Sequence, residues 1–134
     1  MNADPRTYGN LPREVAGKRV LVVDDDPDIR ELLFTALEDE GFEVVPAANG
    51  QEALATIRTF RPDVIILDLM MPVMDGWQFV NEMRARDEDI PLVLLSAARD
   101  LPKHAKDLDA AEIIEKPFDL SELLPKIARV DSAA

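Results

Sequence analysis

Three short, unbroken runs of β-branched and Leu residues constrain this chain most: Arg19 to Val23, Val64–Leu67 and Leu92–Leu95. Each is too apolar to leave either face in water, which suits strands of a parallel sheet covered by helices on both sides. The segments between the runs supply such helices. Ile29, Leu32, Leu33, Ala36 and Leu37 recur at i, i+3, i+4, i+7 and i+8 and form one apolar stripe, stopped by Gly41. Phe42–Ala47 reads as a second strand, placed at or near a sheet edge by Pro46, which cannot donate to a central ladder. Asn49 can cap a helix that turns Ala53, Leu54 and Ile57 inward. Asp75 opens another through Trp77, Val80 and Met83, and a weak helical stretch broken by Pro102 follows the fourth strand. Ala111–Glu115 is the fifth strand. Asp119 with Glu122 three residues on predicts a capping box for a last helix carrying Leu120, Leu123, Leu124 and Ile127, bent or tightened at Pro125. Five strands alternating with five helices through short loops predict an α/β fold with a doubly wound, five-stranded parallel sheet.

Residues 1–17 hold Pro5, Pro12, Gly9 and Gly17 without periodicity and read as a flexible leader; residues 18–130 read as the folded domain and 131–134 as a tail. A chain of 134 residues has room for one such domain. It has no cysteine, which excludes disulfides and thiolate metal sites. A net charge of -12 with no basic stripe argues against direct nucleic-acid binding and favours basic patches on protein partners. No run suits a secretory signal or a membrane span, so a cytoplasmic location is expected.

In a sheet of this kind chemistry belongs at the carboxyl ends of the strands. There the first strand ends in Asp24, Asp25 and Asp26, the third in Asp68 and the fourth in Ser96. Asp26 alone is explained as the cap of a helix that starts at Pro27. Asp24, Asp25 and Asp68 are not, and clustered acids out of water need a countercharge, for which a hard divalent cation with oxygen ligands is the natural solution. An EF-hand reading of Asp24, Asp26 and Asp28 fails, because Ile29 stands where that loop needs Gly and Thr35 where it needs Glu. His104, the lone histidine, lies in the weak stretch and reads as a solvated surface imidazole. The group Met70, Met71, Met74 and Trp77 reads as loop and core packing, with Pro72 and Gly76 marking a turn.

The segments VLVVDDDPDIREL, VIILDLMMPVMDGWQFV, PLVLLSA and EKPF, in this order and each at a strand end, resemble the receiver domains of two-component response regulators, over about residues 18–130. The resemblance implies a flavodoxin-like receiver fold of the single-domain, chemotaxis type. It implies that Asp68 is the phosphoacceptor, and that Asp25, Asp68 and the backbone carbonyl of Met70 ligate Mg²⁺ (or Mn²⁺), with Asp24 acting through a coordinated water. Ser96 takes the family's hydroxyl position and Lys116 its lysine, followed by a cis bond to Pro117. Each would hold one phosphoryl oxygen, with amides near Ala97 assisting. The implied partners are a sensor histidine kinase or a histidine phosphotransfer protein upstream, a small phosphodonor as an alternative, and a protein target downstream. The chain would act on itself, not as an enzyme on a substrate pool. With the chain ending soon after the fifth helix, its output is expected to be protein contact or phosphoryl relay.

Three departures from the family pattern carry expectations. Ile113 replaces the usual aromatic residue three positions before the lysine, which puts the aromatic rotamer switch in doubt. The Ser96 to Lys116 segment is shorter than usual by about half a helical turn, so the fourth helix should be short or irregular and its partner contacts unusual. Met70 and Ala98 occupy positions that tune hydrolysis, and neither can orient water, so a long-lived phosphoryl-aspartate is expected. Two alternatives remain: a pseudo-receiver that binds partners without phosphorylation, and a phosphatase using Asp68 as nucleophile, which lacks an acid two residues on.

Overall fold

The computed structural model describes residues 17–130; the expected leader, apart from Gly17, and the expected tail lie outside them. Five strands, β1 (Arg19–Val23), β2 (Glu43–Ala47), β3 (Val64–Leu67), β4 (Leu92–Ser96) and β5 (Glu112–Glu115), alternate with five helices: α1 (Pro27–Asp39), α2 (Gly50–Phe60), α3 (Gly76–Ala85), α4 (Leu101–Asp107) and α5 (Leu120–Arg129). All strand pairs are parallel, in the order β2-β1-β3-β4-β5. The expected doubly wound sheet is therefore borne out, and Pro46 does lie on an edge strand.

Period-two alternation divides the sheet's side chains between two cores. Val20, Val22, Val64, Ile66, Val93, Leu95 and Ile114 face α1 and α5 through Leu33, Leu37, Leu123 and Ile127. Leu21, Val23, Ile65, Leu67, Leu92 and Leu94 meet Ala53, Leu54 and Ile57 of α2, Phe79, Val80 and Met83 of α3, and Leu101 of α4. The central strands are buried along their whole length, as their unbroken apolar character requires.

Several local expectations need correction. Ser96 is the last residue of β4, and β2 and β5 each start one residue later than expected. Pro102 does not break a helix; it sits in the first turn of α4, where its missing N–H is no loss. The capping box forms at Asp75, whose side chain accepts from Gln78 N while Gln78 answers to Asp75 N, and not at Asp119, which caps α5 without a side-chain bond. α4 is short, as expected, at 7 residues. Its His104 is only partly exposed and stands edge-on to Trp77, with ring centroids 5.0 Å apart and planes at 78°. A surface imidazole was expected because nothing near His104 in sequence announces the α3 ring across from it. Of the methionines, Met71 and Met74 pack against the core, whereas Met70 is 59% exposed.

The neighbouring leucines of α1 test this layering. Leu33 is fully buried and Leu32 is 44% exposed. Leu33→Ala is expected to lower unfolding free energy by about 2–5 kcal/mol, and Leu32→Ala by less than about 0.5 kcal/mol, both read from urea denaturation at unchanged m-value.

Candidate phosphoacceptor and metal site

The strand ladders run straight into the candidate site. Val23 of β1 pairs with Leu67 of β3, so Asp24 and Asp68, the next residues, emerge side by side. Asp68 N still donates to Val23 O at 3.0 Å. On the other side of β3, Ser96 of β4 pairs with Glu115 of β5, and Lys116 N donates to Ser96 O at 3.1 Å. Parallel pairing thus delivers four strand ends to one place at matched height.

At that place the Asp68 carboxylate is 5% exposed and has both oxygens occupied. Oδ1 accepts from Ser96 Oγ at 2.8 Å and from Met70 N at 3.0 Å; Oδ2 accepts from Lys116 Nζ at 2.9 Å. Ser96 Oγ itself accepts from Ala98 N at 3.2 Å, which fixes the hydroxyl between the two partners. Lys116 Nζ also lies 2.8 Å from Asp24 Oδ2, so one ammonium bridges two buried carboxylates. The Lys116–Pro117 peptide is cis, as the resemblance implied.

Asp24 is 2% exposed. Its Oδ1 accepts from Asp26 N at 2.9 Å, and its Oδ2, sealed from solvent, meets the Lys116 ammonium at 2.8 Å. Burial therefore raises the Asp24 pKa above the ordinary aspartate value, against the lowering effect of Lys116 and the Asp26 amide, with the nearby Asp68 charge adding to the rise. For Lys116 burial works against the charged form, yet pairing with Asp24 and Asp68 outweighs it and raises the pKa above the usual lysine value. Asp25 is exposed and completes the cluster: Asp24, Asp25 and Asp68 each present an oxygen within 4.8 Å of the others. Three carboxylates converging on one point, two of them buried, fit a hard divalent cation with oxygen ligands.

Of the expected site residues, Asp24, Asp25, Asp68, Ser96 and Lys116 meet here, and Met70, expected through its backbone carbonyl, joins them through its amide on Asp68 while its side chain is exposed. One contributor was missed. Arg30, one turn into α1, donates from Nη1 to the Asp24 carbonyl at 2.8 Å and so pins the acidic turn from behind. No spacing rule announces a side chain that reaches back over a helix start. Asp26 meanwhile caps α1 by accepting from Asp28 N, as its place before Pro27 indicated.

A parallel sheet with a buried, lysine-bridged aspartate pair at its carboxyl edge has the architecture of a receiver-type domain. The chain belongs to the response regulator receiver domain family of two-component systems, whose profile matches residues 20–128. It is 43% identical over 115 residues to the transcriptional regulatory protein PrrA of Mycobacterium tuberculosis, an alignment covering 84% of this chain and 49% of PrrA. The chain thus spans about half the length of the curated relatives it matches. Among solved structures, the chemotaxis protein CheY4 of Vibrio cholerae superposes with a TM-score of 0.78 at 38% identity, covering 86% of this chain and 99% of that one. Response regulator TrrA of Thermotoga maritima, solved in complex with Mg²⁺-BeF, gives 0.75 at 38% identity, covering 84% and 98%. Among the described residues no helix is long and apolar enough to cross a membrane.

The bridging ammonium should matter most without added metal. Lys116→Met is expected to cost on the order of 3 kcal/mol at neutral pH, because it leaves buried carboxylates uncompensated. The loss should shrink as pH falls: burial raises the Asp24 pKa even with Lys116 present, and removing the lysine, which lowers it, raises it further, so acid favours folding of the variant more than of wild type. Urea denaturation of both proteins in chelator, at neutral and mildly acidic pH, measures the difference.

Proposed function

We propose that Asp68 accepts a phosphoryl group from a sensor histidine kinase, a histidine phosphotransfer protein or a small phosphodonor, and that the modified chain changes its protein contacts. The observation carrying this reading is the convergence of the Ser96 hydroxyl and the Lys116 ammonium on the two oxygens of one buried carboxylate, with Asp24 and Asp25 beside it. One Asp68 oxygen attacks phosphorus of the donor phosphoimidazole; the O–P bond forms as the P–N bond breaks, and the imidazole leaves with the electron pair and takes up a proton. Asp68 is held for in-line attack by its bonds to the Met70 amide and Ser96. As charge moves onto the phosphoryl oxygens, Ser96 and Lys116 can pass from the Asp68 carboxylate to those oxygens without leaving the site.

Asp25, Asp68 and the Met70 carbonyl would hold Mg²⁺ or Mn²⁺, with Asp24 acting through a water. The ion would supply charge neutralisation on the phosphoryl group that the lone ammonium cannot. The convergence of the Asp24, Asp25 and Asp68 carboxylates and the Mg²⁺-BeF complex of the related TrrA support this assignment. The chain is then both catalyst and substrate of its own modification, once per cycle, and the proposed protein donors put the reaction in the cytoplasm. The chain carries a formal net charge of -12, which favours protein contact over nucleic acid as its output. Met70 is exposed and apolar and Ala98 carries no polar side chain, so neither orients a hydrolytic water, and the phosphoryl-aspartate is long-lived unless a phosphatase acts.

Incubation with acetyl phosphate and Mg²⁺ followed by intact-mass measurement is expected to show one added phosphate on wild type and none on Asp68→Asn. An unmodified wild type would point to a pseudo-receiver, and steady release of inorganic phosphate without an adduct to a phosphatase. After removal of the donor the adduct should outlast minutes; decay within seconds would overturn the stated roles of Met70 and Ala98.

A further inference from the structure

The loop from Asp68 to Asp75 carries both the proposed nucleophile and the proposed carbonyl ligand, yet it has no regular structure of its own. What holds it is unusual. Met74 N donates to Pro72 O at 2.9 Å across Val73, whose φ is 71°. An i to i+2 bond across a residue in the left-handed region is a strained three-residue turn, and a β-branched residue is the least suited to it. Val73 is also 75% exposed, so burial of its own side chain does not repay that cost. Strain of this kind persists only where the surroundings over-determine the backbone.

Two glycines supply the over-determination, one at each end. Gly76 N donates to Leu69 O at 3.0 Å, and a Cβ there would stand 2.7 Å from Leu69 Cα and 2.8 Å from Asp68 O. Gly50, the first residue of α2, donates from its N to Met74 O at 3.2 Å. A Cβ at Gly50 would stand 2.9 Å from Met74 Cγ, 3.0 Å from Met74 O and 3.0 Å from Met74 Sδ. The neighbouring Asn49 fixes the seat itself by capping α2 at Glu52 N. The loop is thus stretched between a backbone seat on Gly76 and a second on Gly50, an element remote in sequence from Asp68.

We infer that Gly50 is a positioning residue for the metal and phosphoryl site: by admitting Met74 against the start of α2 it holds the Val73 turn under strain and so fixes Met70 over the Asp68 carboxylate. The inference rests on the reading of Met70 and Asp68 as metal ligands. Gly50 touches no reacting atom. It acts through the loop, in the way that outer groups orient the ligands of a metal site.

Mn²⁺ titration followed by electron paramagnetic resonance reads ligand positioning without phosphorylation. Wild type should bind one Mn²⁺ and Asp25→Asn should bind it more weakly; if wild type binds none, the metal reading fails and takes this inference with it. Given binding by wild type, Gly50→Ala is expected to weaken it by about tenfold, and adding Met74→Ala, which removes two of the three crowding atoms, should recover part of the loss. Unaltered Mn²⁺ affinity in folded Gly50→Ala would overturn the role of Gly50 while leaving the metal site standing. Should Gly50→Ala fail to fold, Val73→Gly decides: glycine accepts the positive φ without strain but lets the turn move. Weaker Mn²⁺ binding with an unchanged or raised thermal midpoint supports a strained loop as the positioning device, and unchanged binding overturns it.

Discussion

The Lys116 ammonium, 2.8 Å from Asp24 and 2.9 Å from Asp68, is the contact on which the rest of the site depends. Two carboxylates at 2% and 5% exposure repel each other and lose most of their hydration, a cost that a countercharge must offset. One cation between them relieves the repulsion but leaves three clustered carboxylates facing a single ammonium. The site is therefore held together while remaining short of positive charge. That imbalance is what the proposed divalent ion would relieve.

Such an arrangement is within reach only because of strand order. β3 lies between β1 and β4, and β5 follows β4, so Asp68 has Asp24 on one side and Ser96 and Lys116 on the other. The strand bonds that fix those neighbours continue into the site itself, through Asp68 N to Val23 O and Lys116 N to Ser96 O. Positional accuracy in the cluster is then inherited from the rigid sheet and not assembled by loops. The loop after Asp68 is the exception, and it is the segment that needs glycine seats at both ends.

What the sequence made legible divides along the same line. Unbroken apolar runs and helical stripes identified the central strands and most helices, because burial on two faces or on one stripe leaves a periodic trace in the chain itself, whereas the short α4 showed only as a weak stretch around Pro102. Asp24, Asp25, Asp68 and Ser96 were visible because each directly follows or closes such a run. Contacts between elements were not. The Arg30 bond to the Asp24 carbonyl, the Trp77–His104 contact and the Gly50 seat for Met74 join residues whose meeting is decided by packing. Local rules also misled. A box was expected at Asp119 with Glu122, yet it closes at Asp75 with Gln78, which carries the same signature.

The short α4 is where a change at Ser96 has most scope to spread. Ser96 Oγ is tied to Ala98 N, and two residues later Asp100 adopts a left-handed conformation at the start of α4 with no side-chain cap bond. The helix is held instead by apolar contacts of Leu101, Ala105 and Leu108 and by His104 against Trp77. Ile113, on β5 beneath it, packs partly buried against the same core and offers no ring to swing. Under the proposed phosphorylation, a hydroxyl drawn from Asp68 toward a new anion would pull on the Ala98 amide at the entrance to α4. Any shift of that helix would run over the partly buried Ile113 side chain and not around a ring at position 113.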